Sequence, residues 1–524
     1  MKNKIFYNNE ARKMLIRGMA ILNKALAVTI GPKGRNVVLA NRNRSTQIIN
    51  DGITIAKEIY VKNSIYNIGI SLIRQASSKT NEIAGDGTTT STILAYSIIE
   101  EGIRSIESGV NPVSIREGIE KSSRFLNDQL IEYSNPLKDL KDIYNIAYIS
   151  SGGNHNLSNL IRDAIKTVGK EGIINLEEGN SFRDELIIAN GFSFDKGFIS
   201  SYFLRNQDSD KIIESDSYIL LVDSKVEATN NDLLAFLSKI SKTQKAVILI
   251  AREIEPEMVS TFILNNNKNI INVIAVKAPG FGNQVQVLLE DISSLVGADI
   301  IGENTGVTFK NCSISNLGNA DKIIITKNNT VIIKEDQLKR VEDRCNNIRK
   351  QIKISDSLYE KELLQFRLQR LTGGVATIKV GAITETEMRD KKLRLEDSIN
   401  ATRAAIIEGV VPGGGHMLIF LSDILSKWAN KNLSGDEREG ALIFAKALKV
   451  PGKQIIKNTG FNDSLIIQKI SKMEFGLGFN SASSNFCNMY EEGIIDPMKV
   501  TRSAIQNASS IAKIVLSTEC IVTE

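Results

Sequence analysis

The chain has 524 residues, 42% of them hydrophobic and 24% charged, an ordinary globular composition too long for one compact core, so two to four domains are expected. A net charge of only +5 and an aromatic content of 6% argue against a nucleic-acid binder, which concentrates basic residues and interleaves aromatics. No stretch reaches the roughly 18 uninterrupted apolar residues of a membrane span. The N-terminus MKNKIFYNNEARKMLIRGM has neither a signal-peptide nor a transit-peptide pattern. Cys312, Cys345, Cys487 and Cys520 lie far apart, and His155 and His416 make no ligand pattern with them. Zinc and structural disulfides are not expected, which fits a reducing compartment.

Taken in chain order, residues 8–28 read as an amphipathic helix stopped before Gly31-Pro32. Residues 64–83 keep helical spacing through Ile65, Ile68, Leu72, Ile73, Ala76 and Ile83. A third helix opens at AGDGTTT and buries Ile93, Leu94, Ile98 and Ile99. The pattern then changes. SYILLVD (217–223), AVILIA (246–251) and INVIAVKAPG (271–280) are short β-branched runs between helical stretches, the mark of an α/β unit. From about residue 335 a charged helix-turn-helix runs to Leu371. Gly373-Gly374, a strand-like VATIKVGA (375–382) and further helices follow. The reading is helical sequence on both sides of an inserted α/β module, with no short-period repeat.

Four glycine-rich stretches could carry chemistry. In AGDGTTT, Gly85 and Gly87 permit close approach of a ligand, and Thr88, Thr89 and Thr90 stand where the next helix begins. Free backbone N–H groups and the helix dipole favour an anion there. There is no P-loop lysine. Asp86 beside phosphates makes sense only with a cation between them, and Mg²⁺ suits oxygen ligands. The competing reading of this stretch alone is a plain helix start after a glycine turn. TIGPKGRNVVL (29–39), NDGITIAKEI (50–59) and VVPGGGHML (410–418) are each weak alone. Together they look like one site assembled from distant segments.

TIGPKGRNVVL, INDGITIAKEI, AGDGTTT, VKAPGFG, EDSINATRAAIIEGVVPGGG and DPMKVTRSAIQNA resemble, in order and spacing, the motifs of group I chaperonins of the GroEL type, over residues 2–524. QIINDGITIAKEI and SLIRQASSKTNEIAGDGTTT look most like the cyanobacterial and plastid branch. The resemblance implies a multidomain fold. A mostly α equatorial ATP-binding domain takes 1–132 and 408–524, and a small α/β intermediate hinge domain takes 133–190 and 375–407. An α/β apical domain, 191–374, is inserted mid-chain, with Gly191 and Gly374 as hinges. It implies an ATPase whose hydrolysis drives an isomerase-type folding activity. It further implies a homo-oligomer of two stacked rings of seven, open to mixing with paralogues, and a small co-chaperonin ring that caps the cavity over non-native protein clients.

Carried over residue by residue, the resemblance puts Thr29, Ile30, Gly31 and Pro32 against the nucleotide phosphates, with Asn50 and Asp51 following. Asp86 would hold Mg²⁺, with K⁺ as an accompanying ion, and Gly87, Thr88, Thr89 and Thr90 would hold phosphate oxygens. Gly414 would lie against the ribose, with Asn480, Ser481, Ala482 and Asp496 around the adenosine. Asp397 would position the attacking water, helped by Asp51. On residue type alone, Glu396-Asp397 in a charged helix reads as solvated surface; the resemblance reverses that. Clients would meet Phe198, Tyr202, Phe203, Leu234, Leu237, Val259, Ile263 and Leu264, while neighbours such as Phe236 and Phe262 read as core.

Several features depart from the family pattern. The chain is basic, with a pI near 8.7, and Arg252 stands where an acid is common, which predicts a less negative cavity wall. GFGNQVQ (280–286) lacks the usual charges, and FNSAS (479–483) carries Phe479 and Ser481. The ending CIVTE has no Gly-Met-rich tail, so a reduced cavity floor is expected. The expected setting is the plastid stroma, from an organelle-encoded gene, with a bacterial cytoplasm as the alternative. The leading expectation is an ATP-driven folding chamber. Its rival is a non-hydrolysing holdase or scaffold that kept the fold, against which the intact Asp51, Asp86 and Asp397 speak. A small-molecule ATP-dependent enzyme would need a second-substrate motif, and none stands out.

Overall fold

A computed structural model describes residues 4–40, 47–169, 172–179, 181–189, 191–204, 211–227, 229, 231–282, 284–302, 305–334, 339–355, 357–372 and 374–523. Gly373 and Asn283, within two of the stretches noted above, lie outside the described residues. The chain forms two compact units. Met1–Asp163, Glu178–Asp184 and Val380–Glu524 make one, and Ala164–Glu177 with Glu185–Lys379 make the other. The change of hydrophobic pattern in mid-chain thus marks a separate body. The segments 133–190 and 375–407, expected to stand together, are divided between these two units.

The first unit is helical because its apolar residues repeat at three and four. Helix Asn8–Ala27 buries Leu15, Met19, Leu22 and Leu26. Helix Ser64–Ala84, capped by the Asn63 side chain, buries Ile70, Ile73 and Ala76. Ile83, expected on the same side, is instead 45% exposed, because at this end the buried face runs through Thr80 and Ala84. Helix Thr88–Glu107 buries Ile93, Leu94, Ile98 and Ile99 as its spacing predicts. Helix Met498–Leu516 packs on Ser64–Ala84, Thr88–Glu107 and Pro112–Tyr133. The shared core runs from Leu15 through Phe444 to Val515. Each fully buried Leu or Ile there is worth about 1.5–3 kcal/mol of burial. A strand at one chain end, Lys4–Tyr7, pairs antiparallel with Cys520–Thr523 at the other.

The second unit is built on a seven-stranded sheet. Its order is Gly191–Phe194, Thr330–Ile333, Gly318–Thr326, Lys211–Val226, Val247–Ile254 and Val273–Lys277, with Ile300–Ile301 also pairing to Lys211–Val226. The last two long strands run parallel to Lys211–Val226, and Gly318–Thr326 runs antiparallel to it. Leu220, Leu221, Val222, Val247, Ile248, Leu249 and Ile250 are all fully buried or nearly so. Such continuous apolar runs are what strands covered on both faces require. The charged helices Lys339–Ile354 and Leu358–Thr372 follow as the sequence predicts. Buried Asp291 joins both of them to helix Gln284–Val296 through Arg344 and Arg367.

Candidate nucleotide site

Two helix N-termini meet in the first unit. Helix Gly52–Glu58 is capped by Asp51, whose carboxylate accepts the Ile53 N–H at 3.1 Å and the Thr54 N–H at 2.9 Å. Helix Thr88–Glu107 begins at Gly87, in the left-handed region at φ +80°, with no side-chain cap. Its first-turn N–H groups are therefore open to an anion. A Cβ on Gly87 would also lie 2.6 Å from Val500 Cγ1, so glycine is required on two counts. One on Gly52 would lie 2.5 Å from Thr89 Oγ1 and 2.6 Å from Thr88 Oγ1. The NDG and GTTT stretches, distant in sequence, are in contact.

Four carboxylates converge here. Asp86 accepts the Gly87 N–H at 2.5 Å and the Ser150 hydroxyl at 3.1 Å. Burial, with Asp51 nearby, pushes its carboxyl above the ordinary carboxylate range, although both hydrogen bonds pull the other way. Asp397, in helix Glu385–Glu408, is pushed well above that range by burial first and then by the charges of Asp86 and Asp51. Asp496 is raised to about 7 by burial and by Asp86, against a hydrogen bond from the Gly414 backbone. Among the described residues no lysine or arginine forms an ion pair with any of the four. Arg394, whose charge offsets part of the effect on Asp397, is itself paired with Asp390 at 2.8 Å. Among the described residues, the site thus gathers carboxylates that no ion pair neutralises.

That charge is the test of fit for a divalent cation, and the donor set passes it. Among the described residues no cluster of three or more His, Cys, Asp or Glu side chains could cage a metal. A hard cation shared with phosphates needs only one or two protein carboxylates, because phosphate and water oxygens complete its shell. Asp86 lies at the open helix start where such a shell would form.

The other expected residues each have partners of their own. The Thr29–Pro32 turn is fixed from behind: Asn458 Nδ2 donates to the Ala27 and Ile30 carbonyls, both at 2.9 Å. A Cβ on Gly31 would meet Ile455 at 2.9 Å. Thr29 itself is buried and donates to the Leu26 carbonyl, so its hydroxyl is already engaged. Asn50 donates to Asn36 at 3.2 Å. The triple-glycine loop meets Asp496, since a Cβ on Gly413 would lie 2.8 Å from Asp496 Oδ1. Strand Val410–Pro412 pairs with Ile495–Pro497, placing Val411 opposite Asp496. Asn480 accepts the Ala482 and Ser483 N–H groups in a tight turn, and Ser481 is buried.

Sequence reasoning missed Ser150 and His416. Ser150 carries no motif, and its link to Asp86 spans 64 residues. His416 makes no ligand pattern with the cysteines, and its link to Phe479 spans 63 residues.

In the second unit the expected client residues divide. Tyr202 is 78% exposed and Leu264 60% exposed, whereas Phe198, Leu234 and Ile263 are half-buried. Phe203, Leu237 and Val259 are core residues at 4%, 3% and 7% exposure. This corrects their expected surface placement: each turns inward onto the sheet beside Phe236 and Phe262, which are buried as expected. Arg252, expected to add positive charge, is tied by its Nε and Nη2 to Asp223 at 3.0 and 2.6 Å and by Nη1 to the Gly282 carbonyl. Its charge is largely spent locally.

Residues 22–524 match the TCP-1/cpn60 chaperonin family. The chain belongs to that family. It is 48% identical over 524 residues to "Chaperonin GroEL, chloroplastic" of Gracilaria tenuistipitata var. liui, covering 100% of this chain and 99% of that one. It is equally 48% identical over 525 residues to the protein of the same name from Trieres chinensis, at the same coverage. The chaperonin gp146 of the Pseudomonas aeruginosa bacteriophage EL, crystallised in the presence of ATP-BeFx, matches the fold with a TM-score of 0.73. It covers 99% of both chains at 19% identity. This chaperonin is thus of the group I, GroEL type and of the plastid branch. It is an ATP-dependent molecular chaperone with a chaperonin's ATPase activity, and it works as a ring-forming oligomer that binds client proteins.

Proposed function

We propose that the carboxylate cluster at the meeting of helices Gly52–Glu58 and Thr88–Glu107 is where this chaperonin hydrolyses ATP. The observation that carries the reading is the unneutralised charge of Asp51, Asp86, Asp397 and Asp496 beside an uncapped helix N-terminus. Anionic phosphates and a divalent cation together resolve what neither resolves alone. The Gly87–Thr90 backbone and hydroxyls receive phosphate oxygens, and the Thr29–Pro32 turn closes over them. Asp86 would hold Mg²⁺, which when bound would supply charge neutralisation at the phosphates, with K⁺ as the accompanying ion. Asp397, whose carboxyl is pushed up by burial and then by the charges of Asp86 and Asp51, would in its ionised form accept a hydrogen bond from the attacking water. Asp51, locked by its own helix cap, steadies the other side. Gly414 faces the ribose, and Asn480, Ser481, Ala482 and Asp496 surround the adenosine.

The larger assembly follows the same reading. The chain divides into equatorial, intermediate and apical domains with hinges at Gly191 and Gly374. Gly374 lies in the left-handed region, which suits a hinge point. Two rings of seven stack, a small co-chaperonin caps each cavity, and folding proceeds inside. The client surface is Tyr202 and Leu264 with the half-buried Phe198, Leu234 and Ile263, an apolar patch that binds without reading sequence. The plastid stroma is the setting.

Steady-state ATP hydrolysis by the purified protein, beside Asp397→Ala, tests this. The expected result is a variant that binds ATP yet turns it over about 10²–10⁴-fold more slowly. A wild type that holds unfolded client without hydrolysing ATP would identify a holdase and overturn the reading.

A further inference from the structure

His416 is buried, at 6% exposure, and opens helix His416–Asn432 directly after the triple-glycine loop. Its two ring nitrogens have different partners. Nδ1 is 2.7 Å from the Gly413 carbonyl oxygen, and Nε2 is 2.8 Å from the Phe479 amide nitrogen. A carbonyl can only accept and a backbone amide can only donate. The proton therefore sits on Nδ1, and Nε2 carries the lone pair. Burial pushes the imidazole pKa down, which keeps this neutral tautomer in place.

The ring spans two segments 63 residues apart, and both are shaped to admit it. A Cβ on Gly478 would lie 2.4 Å from His416 Cδ2, and one on Gly414 would lie 3.3 Å from Nδ1. Met489 stands beside the same two glycines, with Sδ near Gly478 and Cε near Gly414. Phe479 is anchored on its own side by Ile419, Ile456, Ile467 and Ile470. The strand Leu477–Asn480 is thus fixed from behind, and the imidazole fixes it from the loop side.

We propose that His416 is a positioning residue of the nucleotide site: by bridging Gly413 to Phe479 it sets the separation between Gly414 and the Asn480–Ala482 turn, and so the fit of the nucleoside end of ATP. The inference rests on the site reading above. A purely space-filling residue would need only the ring volume. The bridge needs both hydrogen bonds, because losing the acceptor leaves the Phe479 N–H buried without a partner.

His416→Phe keeps the volume and removes both bonds. His416→Gln retains an acceptor that can reach the Phe479 N–H. The measurements are the Kd and KM for ATP, kcat, and inhibition by Mg-tripolyphosphate, which has no nucleoside. Expected for His416→Phe is about a tenfold rise in Kd and KM, with kcat within about twofold and tripolyphosphate inhibition unchanged; His416→Gln recovers most of the affinity. Wild-type ATP affinity in His416→Phe, or an equal loss for tripolyphosphate, overturns the proposal. If His416→Phe fails to assemble, His416→Asn, which keeps only the bond to Gly413, replaces it, and wild-type affinity there overturns the proposal equally. Asp86→Ala is the reference. If it also leaves ATP affinity unchanged, the site reading itself falls; if it alone loses affinity, the fault lies with His416.

Discussion

In the helical unit, the side chains given a chemical role are mostly polar, and several are held by identifiable partners. Asp51 caps a helix, Asp86 takes a hydroxyl from Ser150, and Asn458 holds the turn that carries Thr29 and Ile30. In the sheet unit, residues given a role are apolar, and what separates them from core is only the direction each side chain takes. Tyr202 is 78% exposed and its neighbour Phe203 is 4% exposed. The first kind of site depends on fixed geometry and charge. The second depends on area left in contact with water. They should therefore fail in different ways when altered.

The largest expected effect on stability is on helix Pro256–Asn267. Phe262 is 1% exposed and Leu264 is 60% exposed. Phe262→Ala should cost about 3–5 kcal/mol through the cavity it leaves, and Leu264→Ala less than about 0.5 kcal/mol. Denaturant unfolding read by a probe in the sheet unit checks this. Equal losses would mean that the exposed row is part of the core.

Next comes the charge cluster. Asp86→Asn removes the proposed cation ligand and should lower ATP turnover by about 10²-fold or more. The same change takes a repelling charge from Asp397 and Asp496, whose carboxyls Asp86 pushes up, so both should titrate lower in the variant. Carboxyl titration by NMR with nucleotide absent would decide. No change in Asp397 would break the claim that these groups form one electrostatic unit.

The glycine-and-acid stretches were legible because close approach and phosphate binding demand particular residues at particular places. Asp86 and Gly87 stood out on chemistry, although a plain helix start competed until the family resemblance was weighed, and the structure brings the GTTT stretch into contact with Gly52. Helices such as Thr88–Glu107 were legible from period alone. Phe203, Leu237 and Val259 were not separable from the exposed row, because an apolar side chain at helical spacing suits either side of a helix. Ser150 and His416 were illegible for another reason: their partners are backbone or carboxylate atoms more than sixty residues away in the case of Asp86 and Phe479, and no local pattern marks such a bond. The pairing of Lys4–Tyr7 with Cys520–Thr523 joins the chain ends and was hidden likewise.

A smaller effect concerns pH. The Asp496 carboxyl has a folded-state pKa of about 7 against an ordinary 3.8. Because the folded value is raised, the folded state holds the proton more tightly, and the stability this contributes is lost as pH rises through 7. Asp496→Asn should therefore stabilise the nucleotide-free protein above pH 7 and change little at acid pH. After allowance for solvent reaching the half-buried group, the gain is about 1–2 kcal/mol. Thermal unfolding across pH measures it. A variant less stable than wild type at alkaline pH would show that the ionised carboxylate is itself a structural hydrogen-bond acceptor.

The smallest effect on stability belongs to the surface that should matter most to clients. Tyr202→Ser with Leu264→Ser removes the two most exposed side chains of the proposed capture surface. Since neither is packed, unfolding should shift by less than about 0.5 kcal/mol, and basal ATP turnover should hold. Binding of a denatured client should weaken several-fold, and the loss should persist at high salt, because apolar contact is not screened as ion pairs are. A binding loss that appears only at low salt would point instead to charged residues as the capture surface. The Arg252–Asp223 pair, already satisfied within the sheet unit, would then be a poor candidate. Unpaired exposed lysines would have to be tested in its place.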